Sequence, residues 1–314
     1  MTEIVLQTTN LSKRFGAIEA VKNLSLEIRA GEIFGFLGPN GAGKTTSINM
    51  ICGLMAPDSG EVLIHGKSIH LDGGITRKVG VCPQEIILWE RLTCFEQLQF
   101  IGEMYGLPAA TARSRAEDLL KEMALAEKRN AQARTLSGGL QRRLNLIMAL
   151  VHDPEIVILD EPEAGLDPQS RVRVRQYIQS LARRKTVILT THNMDEADRV
   201  ADRIAIIDHG ELLRMGTPAE LKRTIGEGDV VEIRLEGEAA QRESALAAVR
   251  GIEPQAEVRL EEDLLSVRML NAVSRVPDLM ESIRRTGASA GEMRIRENTL
   301  EDVFLQLTGR RLRE

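Results

Sequence analysis

An α/β fold followed by a smaller α+β unit is what this sequence predicts, and three observations carry it. From the start to about Arg223, short β-branched runs alternate with longer amphipathic stretches, the pattern of strands covered by helices. Four runs, Val79 to Cys82, Ile156 to Leu159, Val187 to Thr190 and Ile204 to Asp208, are nearly all apolar, as strands buried on both faces of a parallel sheet must be. The Gly-rich, charged segment Gly226-Glu227-Gly228-Asp229 then breaks the rhythm and marks a linker. The expected domains are residues 1–225, with a helical subdomain over about 86–152, and residues 229–314.

A further strand is expected at Ile33 to Leu37. Beyond the linker the order is strand Val230 to Leu235, helix Ala239 to Val249, strands Ala256 to Leu260 and Leu264 to Met269, helix Val276 to Thr286, and strand Gly291 to Arg296. These six elements read as a split βαβ, ferredoxin-like unit. A final helix, Leu300 to Leu307, presents Leu300, Val303, Phe304 and Leu307 as an i, i+3, i+4, i+7 stripe, read as packing within the chain. Arg310, Arg311 and Arg313 behind it read as a solvated end.

With 314 residues and 43% hydrophobic composition the chain can bury one large core and a small one. Its net charge of -5 gives no global basic field, so no nucleic acid partner is expected. No apolar run approaches the roughly 18 to 20 residues that span a bilayer, and the start Met1-Thr2-Glu3 lacks a charged n-region with an apolar h-region, so no leader peptide is expected there. Cys52, Cys82 and Cys94 are too few and too scattered for a metal site or a disulfide framework.

The chemistry begins at Gly38-Pro39-Asn40-Gly41-Ala42-Gly43-Lys44-Thr45-Thr46, which matches GxxxxGK[ST] between an apolar strand and a helical run. Its glycines let successive backbone N–H groups converge on phosphate oxygens, and the helix adds its positive N-terminal end. Lys44 would reach the β- and γ-phosphates of ATP, and the Thr45 hydroxyl would ligate Mg²⁺. The run Ile156 to Leu159 delivers Asp160 and Glu161 to the strand's C-terminal end, where open α/β sheets bind ligands. Asp160 would hold hydrated Mg²⁺ and Glu161 would orient or deprotonate the attacking water. Alone, such a pair could simply begin a surface loop; beside the P-loop it points to a nucleotidase.

Leu136-Ser137-Gly138-Gly139-Leu140, followed by Gln141-Arg142-Arg143, opens a second glycine-bearing helix able to meet phosphate. Here the sequence resembles the ATP-binding-cassette (ABC) ATPases, a P-loop NTPase fold with a RecA-like core, an antiparallel β subdomain and a helical subdomain, whose signature is LSGGQ. It departs from that pattern at Leu140. The resemblance implies that Gln84, in Gly80-Val81-Cys82-Pro83-Gln84, contacts Mg²⁺ and the attacking water, and that Asp167, in Gly165-Leu166-Asp167, lies in a loop crossing a dimer interface. It also implies that His192, after Thr190-Thr191, contacts the γ-phosphate and that Phe15 stacks on adenine. Glu163 stands where the family commonly has Ser or Thr and reads as interface variation. The tail Leu300-Glu301-Asp302-Val303-Phe304-Leu305-Gln306-Leu307-Thr308-Gly309-Arg310 resembles LEDVFLxLTGR of the bacterial drug-export-type, daunorubicin-resistance branch.

What the resemblance implies is an ATPase subunit that powers movement, export above import, through a separate integral membrane permease. Two cassettes, expected as a homodimer, would face head to tail, each ATP lying between one P-loop and the other chain's Ser137-Gly138-Gly139. The expected location is peripheral, at the cytoplasmic face of the inner (plasma) membrane. The segment from about Ile86 to Ala133 would dock on the permease. A ribosome-associated ABC protein would carry two cassettes, and a chromosome-maintenance one would insert sustained heptads in the about 90 residues before the signature, where none occur. A small-molecule kinase would share the P-loop but has no use for the signature or His192.

Overall fold

The structure is a computed structural model, and it describes residues 3–69, 75–226, 228–254 and 256–309. Glu227 of the linker, and Arg310, Arg311 and Arg313 of the tail, lie outside the described residues. The chain divides into two compact units, the first running to Pro218 and the second starting at Ala219.

The first unit opens with β1 (Ile4–Phe15) and β2 (Ile18–Arg29), followed by β3 (Ile33–Leu37), α1 (Lys44–Ile51), β4 (Ser59–Ile64), β5 (Lys67–Ser68) and β6 (Val79–Cys82). Helices α2 (Cys94–Met104), α3 (Ala109–Glu122) and α4 (Gly138–Met148) come next. The unit closes with β7 (Ile156–Asp160), α5 (Pro168–Leu181), β8 (Thr186–Thr191), α6 (Met194–Val200), β9 (Arg203–Asp208) and β10 (Glu211–Gly216).

Its six-stranded sheet runs β10-β9-β3-β8-β7-β6, parallel from β9 to β6 with β10 antiparallel at the edge. Strands β3, β7 and β8 are buried at every residue, which is why they read as unbroken apolar runs. A second, antiparallel sheet runs β2-β1-β4-β5. The strands β1 and β2 were not among those expected from the apolar runs, and the reason is physical. Each mixes buried with exposed residues, and register shifts between Thr8 and Leu11 and between Leu11 and Lys13 break the period of two.

In the helical part, a capping box at Thr93 and Glu96 starts α2, and Gly102 lets α3 approach so closely that a Cβ there would lie 2.9 Å from that of Ala112. Cys82 and Cys94 are buried and Cys52 is half-buried; burial pushes the thiols of Cys52 and Cys82 up to about 12 and about 11, so neither is a ready nucleophile.

In the second unit α7 (Pro218–Arg223) leads to β11 (Asp229–Glu236), α8 (Ala239–Ile252), β12 (Glu257–Glu261), β13 (Leu264–Met269), α9 (Ala272–Arg285), β14 (Ser289–Arg296) and α10 (Leu300–Thr308). The sheet order β12-β13-β11-β14 with all neighbours antiparallel is that of a ferredoxin-like split βαβ. Gly228 enters β11 at φ 105, and a Cβ there would lie 2.2 Å from Met269 O, so only glycine fits. Helix α9 starts four residues before the expected Val276, because Pro277 sits inside it without ending it. Leu300, Val303 and Phe304 of α10 are buried within the chain.

Candidate functional site

The parallel strands deliver their C-terminal ends to one edge, and the P-loop leaves from β3 there. Gly43, the N-cap of α1, holds φ 99, and a Cβ on it would meet Ala20 O at 2.3 Å. The turn into α1 therefore requires glycine. Lys44 is 6% exposed and its Nζ donates to Gly38 O (2.8 Å) and Pro39 O (3.1 Å), so the ammonium lies folded over the loop that would cradle phosphate. Burial holds this ammonium below its ordinary value, while the charges of Glu161 and Asp160 pull it back up.

Adjacent strands β7 and β8 bring the remaining groups together. Glu161 Oε1 lies 3.7 Å from Lys44 Nζ, and its Oε2 lies 2.6 Å from His192 Nδ1, so one carboxylate bridges the P-loop lysine and the residue after β8. Asp160 accepts from Thr45 Oγ1 at 3.1 Å through one oxygen and from Thr190 Oγ1 through the other. Glu161 itself sits at φ 50, its N–H donating to Thr190 Oγ1 (3.0 Å) and Thr190 O (3.2 Å).

Five of the residues singled out in the sequence, Lys44, Thr45, Asp160, Glu161 and His192, thus form one cluster from segments far apart in the chain. Asn40 and Gly41 are exposed at the loop tip, Ala42 is buried, and Thr46 follows in α1. Gln84 is linked to the cluster through Arg142, which donates to its carbonyl and to those of Asp160 and Glu161, while its residue surface is exposed. Phe15 is exposed beside Lys13, whose Nζ is 5.9 Å from the ring centroid.

The profile of the family described as ABC transporter matches residues 21–164. A linearmycin resistance ATP-binding protein, LnrL of Bacillus subtilis (strain 168), is 38% identical over 314 residues, covering 99% of this chain and 100% of that protein. The chain belongs to the ABC transporter family. As in its relatives of that family, its activity is to bind ATP and hydrolyse it for transport. The daunorubicin resistance ATP-binding protein DrrA3 of Streptomyces coeruleorubidus is 35% identical, with 100% of this chain and 99% of that one covered. A solved dimeric post-hydrolysis state of the ATP-binding cassette MJ0796, bound to ADP and Pi, superposes at TM-score 0.63 with 31% identity, over 68% of this chain and 98% of that one. None of the three is named for a role on ribosomes or nucleic acid.

The ABC signature forms a second group. Ser137 caps α4 in an extended conformation without a side-chain cap, and Ser137 and Gly138 are exposed. A Cβ on Gly139 would lie 3.0 Å from Ser170 Oγ and 3.5 Å from Asp167 Oδ2, so the signature glycine abuts the start of α5. Asp167 caps that helix, accepting from Ser170 N–H at 3.0 Å, and its bonds to Ser170 hold the carboxyl below its usual value. Glu163 is buried and paired in two-pronged fashion with Arg175 (3.1 and 2.7 Å), which uses both its oxygens.

Sequence reading left two groups without a role. Arg142 is buried under the cluster. Glu196 on α6 accepts from Thr191 Oγ1 at 2.6 Å through Oε2, and its Oε1 is buried without a hydrogen bond among the described residues. Burial pushes its carboxyl up to about 7, with the charges of Glu163 and Glu161 adding to the rise and Thr191 and Arg175 opposing it. A carboxyl raised on folding binds its proton more tightly folded, so its favourable contribution is complete below the unfolded value near 4.5 and is lost as pH climbs through about 7. Glu196→Gln should therefore melt above wild type at pH 8, by up to about 3 kcal/mol, and match it near pH 5. Equal melting gaps at both pH values would contradict this.

Proposed function

We propose that the cluster around Glu161 is one half of a composite ATP site and that a second copy of the chain supplies the other half. The observation that supports it most is the convergence of Lys44, Glu161 and His192 at the end of the P-loop. Lys44 and the backbone N–H groups of the Gly38 to Thr46 loop, Pro39 having none, take the phosphates, His192 meets the γ-phosphate, Glu161 orients the water and accepts its proton, and Phe15 takes the adenine. Thr45, Asp160 and Gln84 offer an all-oxygen donor set that suits Mg²⁺, and the Thr45 hydroxyl already lies against Asp160. When bound, that ion would neutralise phosphate charge.

The exposed Ser137 and Gly138 face no nucleotide of their own chain in this reading. They close the partner's P-loop site in a head-to-tail pair, with Asp167 at the seam. The apolar side chains of Ile86, Ile87, Trp89, Phe100 and Met104 are exposed after Gln84 and on α2, Trp89 and Phe100 meeting edge-on at 5.3 Å. A patch of this kind suits a permease contact. Among the described residues no helix is long and apolar enough to cross a membrane. In this reading a separate permease forms the path, and the chain sits peripherally at the cytoplasmic face. Relatives named for resistance to linearmycin and to daunorubicin support export as the direction.

Lys44→Ala tests the P-loop half. The variant is expected to keep its fold, since the ammonium touches only loop carbonyls and the Glu161 carboxylate of the site itself, and to lose ATP binding or turnover. A folded variant with wild-type ATPase activity would sink the assignment.

A further inference from the structure

Arg142 is the largest fully buried side chain of the protein's described residues, 1% exposed, on the helix that the signature opens. A guanidinium carries five N–H donors. Here each is spent on a backbone carbonyl: Nε on Pro162 O (3.3 Å), Nη1 on Pro83 O (3.0 Å) and Gln84 O (2.6 Å), Nη2 on Asp160 O (2.9 Å) and Glu161 O. Among the described residues no carboxylate pairs with it, so the buried charge rests on carbonyl dipoles alone. Taking a cation out of water costs several kcal/mol, and such a group persists where its geometry is over-determined.

The carbonyls belong to two loops. Pro83 and Gln84 follow β6, and Asp160, Glu161 and Pro162 lie at the end of β7, its neighbour in the sheet. The second of these loops contains a strained residue. Glu161 holds a left-handed backbone at φ 50, a conformation that costs a non-glycine residue on the order of 1 to 3 kcal/mol and survives only when held from outside. It is held on both sides: Thr190 takes its N–H, and Arg142 takes its C=O together with the carbonyls before and after it.

We propose that Arg142 is a positioning residue for ATP hydrolysis: it clamps the left-handed turn at Glu161 and so aims that carboxylate between Lys44 and His192. The same clamp fixes the loop of Gln84 relative to Glu161, because one planar group bonds both. Lysine cannot substitute, since its ammonium is a single point with three donors and cannot span two loops in a fixed fork. The proposal rests on the assignment of Glu161 to the hydrolytic step.

The test is a double-mutant cycle on the full-length protein with MgATP, pairing Arg142→Lys with Glu161→Gln and measuring turnover and ATP affinity. Arg142→Lys is expected to lower kcat by about 10- to 100-fold, the scale of a small misplacement of a catalytic group, while KM shifts less than about threefold. In the Glu161→Gln background, read by single-turnover hydrolysis of labelled ATP, the same change should cost less than about threefold, because there is no base left to misaim. Arg142→Gln, with fewer donors still, should fall below Arg142→Lys in kcat.

If Arg142→Lys retains its full cost on top of Glu161→Gln, Arg142 acts elsewhere and the proposal is overturned. Loss of ATP affinity or of cooperative melting in both Arg142 variants would assign the residue to the fold in general, and overturns it too. Wild-type turnover in Glu161→Gln alone would instead remove the assignment on which the proposal stands.

Discussion

Protein carrying Glu161→Gln is expected to bind MgATP as wild type does and to hydrolyse it slower by a factor on the order of 10² to 10⁴, the usual worth of a general base. The amide keeps the size of the carboxylate and can still reach His192, which lies 2.6 Å from Glu161 Oε2, but it cannot accept the water's proton. Binding is expected to survive because the proposal assigns the phosphate contacts to Lys44 and the loop amides. In the proposed sandwich the γ-phosphate would give ATP, but not ADP, extra affinity for the closed pair, and differential affinity is what shifts such an equilibrium, so opening would wait on hydrolysis. ATP-bound dimers should therefore accumulate and elute as such in size-exclusion chromatography with MgATP. A monomer with normal turnover would contradict both the role of Glu161 and the sandwich.

The second large effect isolates the composite site. One chain carries Lys44→Ala and its partner Ser137→Arg, the latter placing bulk and charge where a γ-phosphate should meet an exposed hydroxyl at the start of α4. Each homodimer then holds two broken sites. In the mixed dimer both lesions fall in one site, and the other combines an intact P-loop with an intact signature. Nucleotide trapping at about one site per heterodimer is expected, a level neither homodimer reaches. Counting trapped nucleotide in the isolated heterodimer, with differently tagged chains, is the measurement. If the heterodimer traps no more than the homodimers, each chain builds its site alone.

The legible part of this protein is the part carried by contiguous residues. Strands β3 and β6 appear in the sequence with the same bounds as in the structure, because a strand buried on both faces leaves an uninterrupted apolar run. The half-buried β1 and β2 hide their alternation behind register shifts. In the second unit, turn residues and period-two runs mark the split βαβ, although Pro277 conceals where α9 begins.

For the site, the sequence by itself determined which residues are the candidates for phosphate and proton chemistry, since Gly38 to Thr46, Asp160 with Glu161, and Ser137 to Gly139 are local patterns read from contiguous letters. Only the tertiary structure decided what holds them in place. Arg142 meets Pro83 and Glu161 across 59 and 19 residues of chain, and Thr190 meets Asp160 across 30. Nothing in the letters of Gln141-Arg142-Arg143 says which arginine is buried; that depends on which face of α4 the sheet edge covers. A buried charge bonded to carbonyls is likewise invisible to pattern, because backbone acceptors are the same at every residue and only the fold gathers five of them around one guanidinium.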